Sequence, residues 1–201
     1  MQWGAGQLSF EDLAGPRTLE ELRREIEGCA RCPLAEGRTH IVFGEGNPHA
    51  RLMLVGEGPG ADEDRLGRPF VGAAGQLLDK ILAAAGIARE EVYIANIVKC
   101  RPPGNRVPLR AEAEACLPWL RFQIRLINPR LIVALGSTAL QYLVDQQARI
   151  TACRGRWLDK GGIRIMPTYH PAALLRDPSK KRDVWEDFKK VRDAYRELMD
   201  R

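Results

Sequence analysis

Two kinds of apolar run alternate along the chain. Arg51 to Val55, Val92 to Val98, Leu131 to Leu135 and Ile163 to Met166 are short and nearly unbroken, as in strands buried on both faces. Between and around them the apolar positions take helical spacing. Leu77, Leu78, Ile81 and Leu82 recur within Ala73 to Ala85, which Gly86 closes. Arg110 to Leu126 predicts a long helix bent at Pro118, and another helix follows Gly136-Ser137-Thr138. Asp183 to Met199 is amphipathic, with Val184, Phe188, Val191, Tyr195 and Leu198 on one face. Near the start, Thr18 opens a helix through a capping box with Glu21, and Gly28 stops it just before Cys29. Strands alternating with helices predict a mainly parallel, four-stranded sheet covered on both sides, with ligands at the carboxyl ends of its strands.

Residues 1–17 have no period and predict a flexible tail, in which Gln7-Leu8-Ser9-Phe10 is a candidate docking peptide; 18–201 predict a single domain. The start of the chain lacks a basic and then apolar leader, and no apolar run approaches a membrane span, which predicts a cytoplasmic location; a monomer is expected. Charge adds a partner. Lys and Arg outnumber Asp and Glu by 31 to 26 overall, but the excess is concentrated in residues 101–182, where the count is 15 to 5. Such a stretch suits a phosphate backbone, and equally suits an Arg-rich solvated surface.

Polar residues gather where the strands end. The first runs into Val55-Gly56-Glu57-Gly58-Pro59-Gly60, a carboxylate held between glycines. That turn is not a nucleotide loop, because the spacing is not G-x-G-x-x-G, Pro59 removes a donor and Glu57 would repel a pyrophosphate. Asn96 falls within the second strand, Gly136-Ser137 follow the third, and Tyr169-His170-Pro171 follow the fourth. His170 therefore shares an edge with Glu57 and Asn96, unlike His40 and His49. Arg101-Pro102-Pro103-Gly104-Asn105-Arg106 reads as a rigid loop, either a surface turn or a wall of the site. Cys29-x2-Cys32 with Cys100 and Cys116 is a four-thiolate set, for which the chemistry leaves zinc and an iron–sulfur cluster open; Cys153 has no partner and reads as a small buried hydrophobe.

These residues carry a resemblance. Gly56-Glu57-Gly58-Pro59-Gly60, Gly67-Arg68-Pro69-Phe70-Val71-Gly72, Asn96-Ile97-Val98-Lys99-Cys100-Arg101-Pro102-Pro103 and His170-Pro171-Ala172 resemble, in order, the motifs of the type 4 uracil-DNA glycosylases. The resemblance implies a three-layer α/β/α fold and a structural [4Fe–4S] cluster on Cys29, Cys32, Cys100 and Cys116. It also implies uracil-containing DNA, single- or double-stranded, as substrate, with release of uracil and an abasic site as product. By similarity, Asn96 reads the base edge, Phe70 stacks on the flipped base, and His170 stabilises the departing anion with backbone donors around Glu57 and Gly58. Better-known uracil glycosylases have an aspartate and a tyrosine where this chain has Gly58 and Gly60, so Glu57 and Asn105 are expected to hold the attacking water.

Leu174-Leu175-Arg176 is expected to supply an apolar wedge, or one buried leucine beside it, and Arg106, Arg176 and Lys180-Lys181-Arg182 to meet phosphates. The alternative is a cluster- or zinc-containing nucleic-acid-binding module without catalysis, which would not need polar groups at the strand ends.

Overall fold

The computed structural model describes residues 15–200. The proposed docking peptide Gln7 to Phe10 lies outside them.

Four parallel strands form the centre of the sheet: β2 (Leu52–Gly56), β3 (Tyr93–Asn96), β4 (Leu131–Leu135) and β6 (Ile163–Thr168). Two short antiparallel strands were not foreseen. β1 (Glu45–Gly46) borders β3, and β5 (Leu158–Lys160) borders β6, giving the order β1-β3-β2-β4-β6-β5. The sheet therefore has six strands, with the expected four inside it.

Every residue of β2 and β4 is buried. Because successive side chains point to opposite faces, Met53 and Val55 enter one core while Leu52 and Leu54 enter the other. The first core holds Leu22 and Ile26 of α1 (Leu19–Ile26), Leu117, Leu120 and Ile124 of α5 (Arg110–Ile127), and Ala139 and Leu143 of α6 (Ser137–Leu143). The second holds Leu78 and Leu82 of α4 (Ala73–Ala84), Leu174 of α8 (Pro171–Arg176), and Val184, Phe188 and Val191 of α9 (Lys181–Met199). This is the three-layer α/β/α arrangement.

The helix ends largely follow the sequence signals. The Thr18 side chain accepts from the Glu21 amide at 3.1 Å, but the Glu21 carboxylate takes the Arg17 amide at 2.7 Å instead of completing a box with Thr18. Gly28 has φ +73°, the left-handed conformation that redirects the chain towards Cys29. α5 continues through Pro118 to Ile127, and Asn128 caps it in the left-handed region. Three short helices lacked a period long enough to be read: α2 (Leu34–Gly37), α3 (Ala61–Leu66) and α7 (Ile150–Cys153). Among the described residues no helix is long and apolar enough to cross a membrane.

Candidate active site

The chain after β2 passes through α4 and returns as β3 on one side, while the chain after β4 passes through α6 and reaches β6 on the other. The helices leave on opposite faces, so a crevice opens between the carboxyl ends of β2 and β4. Glu57 and Thr138 face each other across it, and the Thr138 hydroxyl donates to a Glu57 carboxylate oxygen. The expected carboxylate is therefore fixed from the neighbouring strand's helix.

An open cleft of about 900 Å³ lies over this point, lined by Glu57, Gly58, Phe70, Asn96, Asn105 and His170 among others. All the sequence-predicted catalytic and base-binding residues thus border one space. Gly56 is what lets two of them meet: a Cβ there would sit 2.5 Å from Asn96 Oδ1 and 2.6 Å from Phe70 Cζ. Phe70, nearly buried and at φ +50°, lies 5.4 Å from the His170 ring, centroid to centroid, with the rings tilted by 32°.

Asn96 is 1% exposed, and its Oδ1 has no hydrogen-bond partner. A buried carboxamide oxygen left unpaired costs free energy unless a donor arrives, so the cleft is built to receive an N–H. His170 caps α8, and its Nδ1 accepts from the Ala172 amide at 3.1 Å. That bond assigns the neutral ring's proton to Nε2. Burial, reinforced by the Arg176 charge, lowers the His170 pKa to about 4, so the ring is a neutral donor at physiological pH.

Asn105 is exposed on the rim, at φ +57°, and its Oδ1 accepts from Arg101 Nε at 2.8 Å. Four of the expected DNA contacts, Leu174, Leu175, Arg106 and Arg176, divide between core, solvent, an ion pair and the cleft. Leu174 is 1% exposed in the second core, because the segment after His170 is a helix whose inner face must be covered; only Leu175 reaches solvent. Arg106 is not a free cation, since its guanidinium binds both oxygens of buried Glu112 at 2.7 and 2.8 Å. Arg176 borders the cleft.

Two buried carboxylates that the sequence reading passed over hold the site's loops. Glu63 accepts from the Val71 and Gly72 amides at 2.8 Å each and from Gly60 at 3.1 Å, tying the glycine turn to the Phe70 loop. Asp187 of α9 accepts from Thr168, two residues before His170, at 2.6 Å, and from Arg154 at 2.7 and 3.1 Å. A carboxylate three residues past the glycine turn was the available signal for Glu63. Nothing local marks Asp187.

Cys29, Cys32, Cys100 and Cys116 line one pocket away from the cleft, and none is in a disulfide. Among the described residues no three His, Cys, Asp or Glu side chains are grouped to hold a metal ion. Four cysteines that line one pocket are the chemistry of a thiolate-held metal or cluster. Trp119, which borders the same pocket, has a buried Nε1–H with no partner. The Cys116 thiol accepts from the Lys99 amide at 3.3 Å, and the Cys100 thiol from Arg38 at 3.4 Å. Donors aimed at sulfur suit thiolates. Cys153 is half-buried rather than fully buried.

The family model for the uracil DNA glycosylase superfamily matches residues 43–189, a span that contains the whole cleft. The chain belongs to that superfamily. A type-4 uracil-DNA glycosylase of Thermotoga maritima is 49% identical over 178 residues, 87% of this chain and 93% of the relative. A type-4 enzyme of Archaeoglobus fulgidus is 42% identical over 184 residues, 87% and 92% of the two chains. A type-5 enzyme of Pyrobaculum aerophilum is 35% identical, over 77% of this chain and 83% of the relative. The greater identity to the type-4 members places the chain in that branch.

Proposed function

We propose that the protein excises uracil from DNA by hydrolysing the C1′–N1 bond of deoxyuridine, leaving an abasic site. The observation that carries this reading is the unpaired, buried Oδ1 of Asn96 at the back of a cleft that also holds a neutral histidine. Uracil presents O2, N3–H and O4 along one edge. Asn96 Oδ1 accepts from N3–H while its amide nitrogen donates to O4. Cytosine reverses both polarities, which would leave buried groups opposed, and such mismatches discriminate strongly. The base must leave the stack to reach the cleft, and Phe70 offers it an apolar face.

Bond cleavage sends the glycosidic electron pair to uracil N1 and leaves positive charge on the sugar. His170 Nε2–H donates to O2, where the anionic charge collects, and the Gly58 amide adds a donor. Preorganised donors of this kind supply the main stabilisation. A water oxygen then bonds to C1′ and releases a proton to Glu57, whose orientation Thr138 fixes. Asn105 holds that water from the rim. Leu175 fills the vacated stack, Arg176 takes a phosphate, and Arg106 braces its loop through Glu112.

Cys29, Cys32, Cys100 and Cys116 would hold a [4Fe–4S] cluster, which supplies a structural cross-link between the first helix region, the loop after β3 and α5. The cluster-loaded protein is expected to release free uracil from single- and double-stranded oligonucleotides, measured beside matched thymine, hypoxanthine and xanthine substrates. No release of uracil would sink the reading.

A further inference from the structure

Lys99 is 1% exposed and stands among the largest fully buried side chains of the protein. Each of its polar groups has a partner, two of them on α5. Its amide donates to Cys116 Sγ at 3.3 Å, and its carbonyl accepts from the Val42 amide at 2.8 Å. Its ammonium donates to the Asn96 carbonyl at 2.9 Å and to Gln123 Oε1 at 2.6 Å. Gln123, 0% exposed on α5, in turn donates to the Phe43 carbonyl at 2.8 Å and to the Tyr93 hydroxyl at 3.3 Å.

A methionine would fill the same volume without the cost of burying a charge, so filling space does not explain this residue. The Asn96 side chain supplies the explanation. Its acceptor oxygen has no protein partner to aim it, so its direction depends on how firmly the backbone of Asn96 is held. The following two amides, Ile97 and Val98, bond to the carbonyls of Gly56 and Glu57 at 3.0 and 3.1 Å, which fixes that turn to the glycine loop. The Asn96 carbonyl points instead to Lys99.

We propose that Lys99 is a positioning residue: a strut from Gln123 on α5 to the main chain of Asn96 that aims the carboxamide at uracil. The inference rests on the uracil-excision reading and deepens it. The strut also puts the base reader and the cluster ligand Cys116 on one residue, so the rigidity of α5 is passed to the reading edge.

The test uses cluster-loaded full-length protein and compares wild type with Lys99→Met, Gln123→Met and the double variant Lys99→Met/Gln123→Leu. Removing both partners takes away the buried Lys99–Gln123 bond from both sides, while the Phe43 carbonyl and the Tyr93 hydroxyl lose the Gln123 donor, so the fold of every variant is followed by circular dichroism. Single-turnover uracil release is expected to fall about 10- to 100-fold in the double variant, the scale of a misplacement near 1 Å. Tm should fall with the lost buried hydrogen bonds, but affinity for an undamaged duplex and visible cluster absorbance should stay near wild type, a split that general loosening would not give. Gln123→Met, which frees one end of the strut, should lose rate in the same direction. A double variant with intact cluster absorbance and the wild-type rate overturns the proposal; if that variant does not fold, an unchanged rate in Gln123→Met does so. Absence of uracil release by wild type would instead sink the reading on which it rests.

Discussion

His170 stays neutral in the folded protein down to about pH 4, while in the unfolded chain it takes a proton near 6.5. Between those values the unfolded state binds a proton that the folded state refuses. The stability that comes with a neutral His170 is therefore complete above about 6.5 and is lost as pH falls towards 4. Thermal melts should show the advantage of wild type over His170→Gln shrinking across that window. For the same reason the excision rate should show no His170 inflection near 6.5, and an inflection there that His170→Gln abolishes would mean the imidazolium acts instead. His170→Ala, Asn96→Ala and Glu57→Ala are each expected to lose about 10²- to 10⁴-fold in single-turnover rate with unchanged circular dichroism. Gly56→Ala should lose activity without removing any functional group, since its methyl would collide with Asn96 Oδ1 and Phe70. The strain of such overpacking costs about 1–3 kcal/mol, readable in denaturant melts.

At the scale of elements, α9 and β6 are joined by Asp187, and through Thr168 the bond steadies the strand end that carries His170. Asp187→Ala takes one carboxylate from the Arg154 guanidinium, which keeps the Asp183 carbonyl and carboxylate, and leaves the buried Thr168 hydroxyl without its acceptor, a cost of about 1–3 kcal/mol. The corresponding fall in Tm would be roughly 2–4 °C per kcal/mol for a chain of this size; a change within error would show that Asp187 contributes nothing. The sequence reveals the long elements because their periods repeat: the four parallel strands and α4, α5 and α9 all lie within a few residues of their expected spans. β5 has only three residues, too few for a period, and the Gly161-Gly162 turn that joins it to β6, both residues at positive φ, was passed over. The site divides in the same way. Glu57, Asn96 and His170 are legible because they end strands. Thr138 and Asp187 act across 81 and 19 residues of sequence, a closeness that only the fold creates.

For the whole molecule, the excess of 15 basic over 5 acidic residues in 101–182 predicts DNA binding that weakens linearly with the logarithm of salt concentration. Arg176→Ala should reduce that slope by about 1, measured by titrating a labelled duplex at several salt concentrations. An unchanged slope would remove Arg176 from the phosphate contacts. Stripping the cluster proposed at Cys29, Cys32, Cys100 and Cys116 with an oxidant and chelator should lower Tm, because a group that binds only the folded chain stabilises it by mass action.

The two short edge strands have a consequence for the protein in a crowded solution. Long, flat, apolar strands at a sheet margin recruit other chains, and the four apolar parallel strands here would be poor margins. β1 offers two residues and β5 three, the latter carrying Asp159 and Lys160, so the rim presents little ladder for a stranger to extend. Those short strips act as selvedges, finishing the fabric of the sheet so that it does not run on into its neighbours.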